Sequence, residues 1–290
     1  MKTNSSTELS PPISIQRPRF RPPLSVQRYL YVCSLIRHIS ENHQQQSSSS
    51  IIESVADLGS GCCRLAWYLK RLPFLRYIRC LDLNVDCFEG NTYVVPSTEE
   101  RYADRLCPLQ IELYQGDVRQ NDYRFRHIDI VTCVEMIEHL PIESLDSFAA
   151  NVFDFIQPGY VIVTTPNFDY NELCRSNDND NDDVQRDHYR DPRFRDSDHY
   201  FEFTRQEFKH WCDQIQDKYP RYKYRLSGVG RLRSLDPDMK RGYATQIAIF
   251  KRKTDDNVEQ QQQPIESIQN YHHVRTHYFG QPWSRWKPSS

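Results

Sequence analysis

Asp57-Leu58-Gly59-Ser60-Gly61 is D-x-G-x-G, set between an apolar run (Val55-Ala56-Asp57-Leu58) and a helical pattern (Leu65-Ala66-Trp67-Tyr68-Leu69-Lys70). Glycines let a backbone turn sharply and approach a ligand without a Cβ clash. The spacing is not the dinucleotide fingerprint G-x-G-x-x-G, because Arg64 occupies the third glycine's place. A strand, a glycine turn and a helix form the first unit of an α/β domain. Four further strands are expected at 78–83, 109–114, 128–134 and 160–165. A helix near Ser144–Ile156 should end at Pro158-Gly159. Alternation of this kind predicts a parallel sheet with right-handed crossovers, helices on both faces, and ligands at the carboxyl ends of the strands. Gly59, Asp82, Asp117, Glu135 and Asn167 all fall at such ends.

The fourth strand, Ile128–Val134, runs into Glu135-Met136-Ile137-Glu138-His139-Leu140. A helical continuation would set Glu135, Glu138 and His139 at i, i+3 and i+4, on one face. Two carboxylates and an imidazole aimed together form most of a metal site. The plain alternative is a solvated helix start, where acids are favoured.

The 290-residue chain can bury one good-sized core. Its net charge of −2 provides no global basic field, so any nucleic-acid contact must be local. Nine cysteines without a C-x-x-C pair indicate a reducing compartment rather than a disulfide framework or a zinc ribbon. No apolar run reaches the length of a membrane span, and no signal-peptide core is expected. Ser and Arg near the start leave a mitochondrial transit peptide as a weaker alternative. Residues 1–19 are expected to be disordered and 20–253 to form the ordered domain. That domain opens with an amphipathic helix to about Ile39 (Val26, Tyr29, Leu30, Cys33, Ile36) and then a polar loop at 43–50. A long loop is expected at 169–198, mobile at its Asn/Asp run 177–183. A helix at 205–216 and strands at 222–229 and 243–251 follow, with a low-complexity tail of uncertain order from 254 to 290.

The glycine turn resembles the S-adenosylmethionine loop of class I (Rossmann-like) methyltransferases. Glu135-x-x-Glu138-His139 occurs in many of these, ubiquinone-pathway O-methyltransferases among them. A second stretch is more selective: Arg195-Asp196-Ser197-Asp198-His199-Tyr200-Phe201-Glu202-Phe203-Thr204-Arg205-Gln206-Glu207-Phe208. It resembles the small-RNA 3′-terminal 2′-O-methyltransferases of the Hen family. Phe20-Arg21-Pro22-Pro23-Leu24 with Gln27-Arg28-Tyr29, Gly228-Val229-Gly230 and Gly242–Phe250 are similar to further parts of it.

The resemblance implies that Glu135, Glu138, His139 and His199 bind a divalent metal (magnesium or manganese, with cobalt a third option) and act in catalysis through it. It implies a cofactor site of Asp57, Gly59, Gly61, Asp82 and Asp117, with Asp82 placed to accept both ribose hydroxyls and Asp117 placed like the acid that contacts the adenine amino group. It also implies methylation of single-stranded small RNAs such as piRNAs, carried by an Argonaute or Piwi-class protein. A monomer in the cytoplasm, RNA granules included, is expected. In this reading the terminal 2′,3′-diol chelates the metal, which selects the 3′ end and activates the 2′ oxygen. Arg186, Arg190, Arg193, Arg195, Arg205 and the Arg17–Arg28 group are candidate RNA contacts, at least half of them expected to be plain solvated surface. The rivals are a small-molecule catechol O-methyltransferase of the ubiquinone type and a non-enzymatic scaffold that only binds partners.

Overall fold

The computed structural model describes residues 20–45, 51–102, 105–174, 193–253 and 268–280. The expected features at 1–19, 46–50 and 177–183, with Arg17, Arg19, Arg186 and Arg190, lie outside these residues.

The core is one mixed, mostly parallel sheet. Its strands are β1 (Ser54–Leu58), β2 (Tyr77–Asp82), β3 (Leu109–Gln115), β4 (Ile130–Val134), β5 (Tyr160–Pro166), β6 (Tyr222–Val229), β7 (Thr245–Arg252) and β8 (His272–Phe279), in the order β6-β7-β5-β4-β1-β2-β3-β8. The first five are parallel; β7, β6 and β8 join antiparallel. Every residue of β1 and β5 is buried, as central strands covered on both faces require. One face carries α1 (Leu24–Gln45) and α2 (Arg64–Leu69), the middle turns of α1 packing Val32, Ile36 and Ile39 near Leu65 and Leu69. The other carries α4 (Leu145–Ala149) with its π-helical continuation Ala150–Ile156, and α6 (Arg205–Lys218). Two smaller helices are α3 (Thr98–Tyr102) and α5 (Phe168–Cys174). Among the described residues no helix is long and apolar enough to cross a membrane.

Strand order reverses between β1 and β4, and the crevice at such a switch point is where ligands enter this kind of sheet. The loops leaving β1 and β4 touch there. A Cβ on Gly59 would lie 2.1 Å from Met136 Cγ, and Gly59 has φ +73°. Only glycine satisfies both constraints.

Four local features depart from expectation. Residues 135–140 form no α-helix. Glu135 is left-handed (φ 51°), a single 3-10 turn covers Ile137–His139, and Pro141 follows. A proline disfavours helical backbone in the residue before it and cannot donate to a ladder, so the turn stops there. The 144–156 helix changes from α to π and ends on left-handed Gln157. The 169–198 loop begins as helix α5. Finally, the domain does not end at 253, because β8 pairs with β3 from Leu109↔Phe279 to Gln115↔His272.

Candidate active site

The glycine turn is held from the neighbouring strand. Gly59 and Ser60 both donate their N–H to the Leu81 carbonyl, at 2.8 and 3.0 Å. Asp82, at the tip of β2, accepts from the Gly61 N–H at 2.7 Å and the Asn84 N–H at 3.0 Å. Nothing lies within 4 Å of a Cβ built on Gly61, so this side of the turn is open. An open glycine backbone beside a carboxylate fits an adenosyl cofactor whose ribose offers two hydroxyls.

Asp117, after β3, lies by the same end of the sheet. Hydrogen bonds from the Arg119 side chain hold its carboxyl below the usual range.

Asp57 is different. It is 2% exposed and accepts from the Thr132 hydroxyl at 2.8 Å, joining β1 to β4. Its carboxylate serves to join two strands at the base of the glycine turn.

Burial pushes Asp57 up to about 7, against 3.8 for a free aspartate. Below about pH 4 it is protonated in both folded and unfolded chains. As pH rises toward 7 the unfolded chain ionises it while the folded chain keeps the proton. Stability therefore declines across that window, by roughly 4 kcal/mol at most. Asp57→Asn keeps an acceptor for Thr132 and removes the titration. Urea unfolding from pH 4 to 7 should show a flatter stability profile in the variant; an unchanged slope would refute this account of Asp57.

The second half of the site gathers Glu138, His139 and His199, whose ligand atoms all lie within 4.8 Å of one another. Glu138 is fully buried and accepts from the Thr165 hydroxyl at 3.0 Å, while its Oε1 is buried without a hydrogen-bond partner. Burial, and then the charge of Glu135, push its carboxyl well up. A buried carboxyl whose charged form is disfavoured, with one oxygen lacking a donor and two imidazoles close by, suits a divalent cation that would offset that charge. The Tyr200 N–H donates to the Glu138 carbonyl at 2.8 Å, so the backbone stitches two distant parts of the chain together.

Both histidines are oriented through Nδ1. His199 meets Glu202 at 2.6 Å, and His139 meets Asp198 at 3.1 Å. A carboxylate at Nδ1 fixes the tautomer and leaves Nε2 as the ligating nitrogen. Burial alone would raise Glu202. Hydrogen bonds from His199, Asn171 and the Arg195 N–H outweigh it and keep the group ionised, with its carboxyl below the usual range. Asp196, Asp198 and His199 form a second, overlapping cluster, more exposed than the first.

Glu135 does not join this group. It accepts from the Thr164 hydroxyl at 2.9 Å and pairs with Arg28 of α1 at 3.0 Å. Thr164 and Thr165 are successive strand residues and point to opposite faces of the sheet. Glu135 thus lies outside the tightest group, although its charge still reaches Glu138, and Glu138, His139 and His199 are the three of the expected four whose ligand atoms lie within 4.8 Å of one another. Thr164, Thr165, Asp198 and Glu202 were given no role from sequence, and Arg28 was expected as an RNA contact rather than a partner of Glu135. Asp198 and Glu202 carried a signal there, since both flank His199 in the stretch already singled out.

Among the candidate RNA contacts, Arg195 is structural, its guanidinium bonded to Asn171 Oδ1 at 2.9 Å and the Ala244 carbonyl at 3.0 Å. Arg205 pairs with Asp169 at 3.4 Å and Arg193 lies over the Phe168 ring. A separate groove of about 770 Å³ holds Arg21, Arg231 and Arg233 beside Phe20 and Tyr243.

Sheet order, glycine turn and acid-tipped β2 define a class I, Rossmann-like methyltransferase fold. The chain superposes on a small RNA methyltransferase, HEN1, with a TM-score of 0.69 and 27% identity, over 97% of this chain and 30% of that one. It superposes on the methyltransferase domain of a bacterial Hen1 with a TM-score of 0.58 and 28% identity, over 80% of this chain and all of that one. No family model matches the sequence. Curated proteins do: the small RNA 2′-O-methyltransferase of Rattus norvegicus is 32% identical over 257 residues, which is 88% of this chain and 57% of that protein. That of Drosophila melanogaster is 31% identical over 237 residues, 81% of this chain and 56% of that protein. The chain is a relative of the Hen-type small-RNA 2′-O-methyltransferases, and it spans a little over half the length of these curated relatives.

Proposed function

We propose that this chain transfers a methyl group from S-adenosylmethionine to the 2′-hydroxyl of the 3′-terminal nucleotide of single-stranded small RNAs, protecting their 3′ ends. The observation that carries the proposal is the convergence of Glu138, whose buried Oε1 has no partner, with His139 and His199 within 4.8 Å, in a loop that packs through Met136 on Gly59 of the glycine turn. Relatives named for this reaction support it. A divalent cation held by Glu138, His139 and His199, magnesium or manganese with cobalt a third option, would act as a Lewis acid on the terminal ribose hydroxyls.

The protein's own groups do the rest. Thr165 donates to one oxygen of Glu138 and leaves the other free for the site. Glu202 and Asp198 take up Nδ1 of the two histidines and keep their Nε2 atoms available. Asp82, already braced on the Gly61 N–H, offers its carboxylate to the cofactor ribose. Gly59 brings the two loops into van der Waals contact through Met136, so donor and acceptor sites share one crevice. Holding the methyl group in line with the attacking oxygen supplies much of the acceleration.

Only the last nucleotide of an RNA has neighbouring free 2′ and 3′ hydroxyls, so a site that grips both selects that end. An oligomer ending in 2′-deoxyribose or a 3′-phosphate should give background transfer only, read by labelled methyl incorporation and periodate resistance. Efficient methylation of the 3′-phosphorylated oligomer would overturn the diol reading. The groove at Arg21, Arg231 and Arg233, with aromatic walls from Phe20 and Tyr243, suits a phosphate backbone with bases stacked on rings. The partner follows from the substrate: an Argonaute or Piwi-class protein presenting piRNA-like RNA to a monomeric enzyme, in the cytoplasm and its RNA granules.

A further inference from the structure

We infer that residues 268–273 are part of the cofactor site, and that Tyr271 is a positioning residue that holds the loop carrying Asp117 against the adenine of S-adenosylmethionine. The inference rests on the reading of Asp117 as the acid that meets the adenine amino group.

β8 enters the sheet beside the carboxyl end of β3, where Gln115 pairs with His272. Just before it, the chain runs along the loop that follows Asp117. Tyr123 donates its N–H to the Ile268 carbonyl at 3.0 Å, and the Asn270 amide donates to the Asn121 carbonyl at 2.8 Å. Asp122, fully buried, accepts from the Tyr271 N–H at 2.9 Å, and the Arg124 guanidinium takes the Tyr271 carbonyl.

The Tyr271 side chain then reaches the loop itself. Its ring, 4% exposed, lies over Gly116 so closely that a Cβ there would sit 2.3 Å from Cδ1. Its hydroxyl donates to the Gln120 carbonyl and accepts from the Asn151 amide at 3.1 Å. The same buried amide donates to the Val118 carbonyl at 2.8 Å. Residues 116, 118 and 120 are thus each fixed from the protein side. Asp117 and Arg119 alternate with them and remain partly exposed, their side chains at 19% and 39%. A loop pinned at alternate positions presents the intervening carboxylate at a set height without ordering it at the moment of binding.

The test uses the full chain, Tyr271→Phe and Tyr271→Ala, each titrated by calorimetry with S-adenosylhomocysteine and with S-inosylhomocysteine, in which oxygen replaces the 6-amino group. Wild type should prefer the adenine compound. Tyr271→Phe keeps the ring on Gly116 and loses the hydroxyl. It should weaken S-adenosylhomocysteine about fivefold to tenfold, narrow the adenine preference, and raise KM for the cofactor with kcat retained. Tyr271→Ala should do more; if it does not fold, the Phe variant decides. Unchanged affinity and preference in Tyr271→Phe, with wild type discriminating, overturns the role of Tyr271 alone. A wild type that binds both compounds equally overturns the reading of Asp117 and this inference with it.

Discussion

His199→Ala should lower methyl transfer to 3′-hydroxyl RNA on the order of 10³-fold or more, with the melting temperature nearly unchanged. The magnitude follows from losing one of three converging ligand side chains, since Lewis-acid stabilisation in such sites amounts to several kcal/mol. The side chain is buried, but its main partner, Glu202, retains Asn171 and the Arg195 N–H, so the fold is not left with an orphaned charge. Glu202→Gln should fall between wild type and His199→Ala. A glutamine carbonyl can still accept from Nδ1–H, while the anion that raises the basicity of the ring is gone. The expected cost is about 10- to 100-fold in affinity for manganese. Steady-state kinetics at several manganese concentrations separate the two variants, because excess metal rescues Glu202→Gln and not His199→Ala. Rescue of both would count against His199 as a ligand.

The second large effect belongs to Gly59→Ala. The methyl group would lie 2.1 Å from Met136 Cγ on a backbone at φ +73°. A left-handed alanine costs roughly 1–2 kcal/mol and overpacking about 1–3 kcal/mol more. The loops after β1 and β4 must then separate, which disturbs the Gly61–Asp82 hydrogen bond and the start of the 3-10 turn that carries Glu138. Affinity for S-adenosylhomocysteine should fall by at least about 100-fold, with a loss of stability on the order of 3 kcal/mol. Gly59→Ala combined with Met136→Ala removes the Cγ contact, leaves the Met136 Cβ at 2.8 Å and keeps the strained φ, so it should recover only part of the affinity. If Gly59→Ala alone binds cofactor like wild type, the two loops are not packed as described.

The parts of this molecule legible in the sequence are those set by periodicity and by glycine. β1, β4 and β5 are continuous apolar runs because both faces of the sheet are covered, and Gly59 stands where no side chain fits. β8 was hidden for the opposite reason. Its polar run His272-His273-Val274-Arg275-Thr276-His277-Tyr278 has no apolar alternation, and its place comes from pairing with β3 and from Tyr271 and Phe279 anchoring its two ends. The 135–140 turn misled in a specific way. Helical spacing put three ligands on one face, whereas a left-handed Glu135 and the following Pro141 leave only Glu138 and His139 in the turn. Glu135 is then taken up by Arg28 and Thr164. The long-range joins, Tyr200 to Glu138 and Asp198 to His139, depend on two segments about 60 residues apart meeting. Residue spacing within either segment carries no trace of that meeting.

The central claim is that Glu138, His139 and His199 hold one divalent cation against the terminal ribose. Electron paramagnetic resonance of manganese, titrated into the cofactor-loaded protein, tests it most directly. The prediction is one manganese per chain, abolished by Glu138→Ala and by His199→Ala, with a spectrum altered by RNA ending in free 2′ and 3′ hydroxyls and unaltered by the 3′-phosphorylated oligomer. Manganese binding that survives both substitutions would contradict the claim, and so would a spectrum indifferent to the RNA terminus.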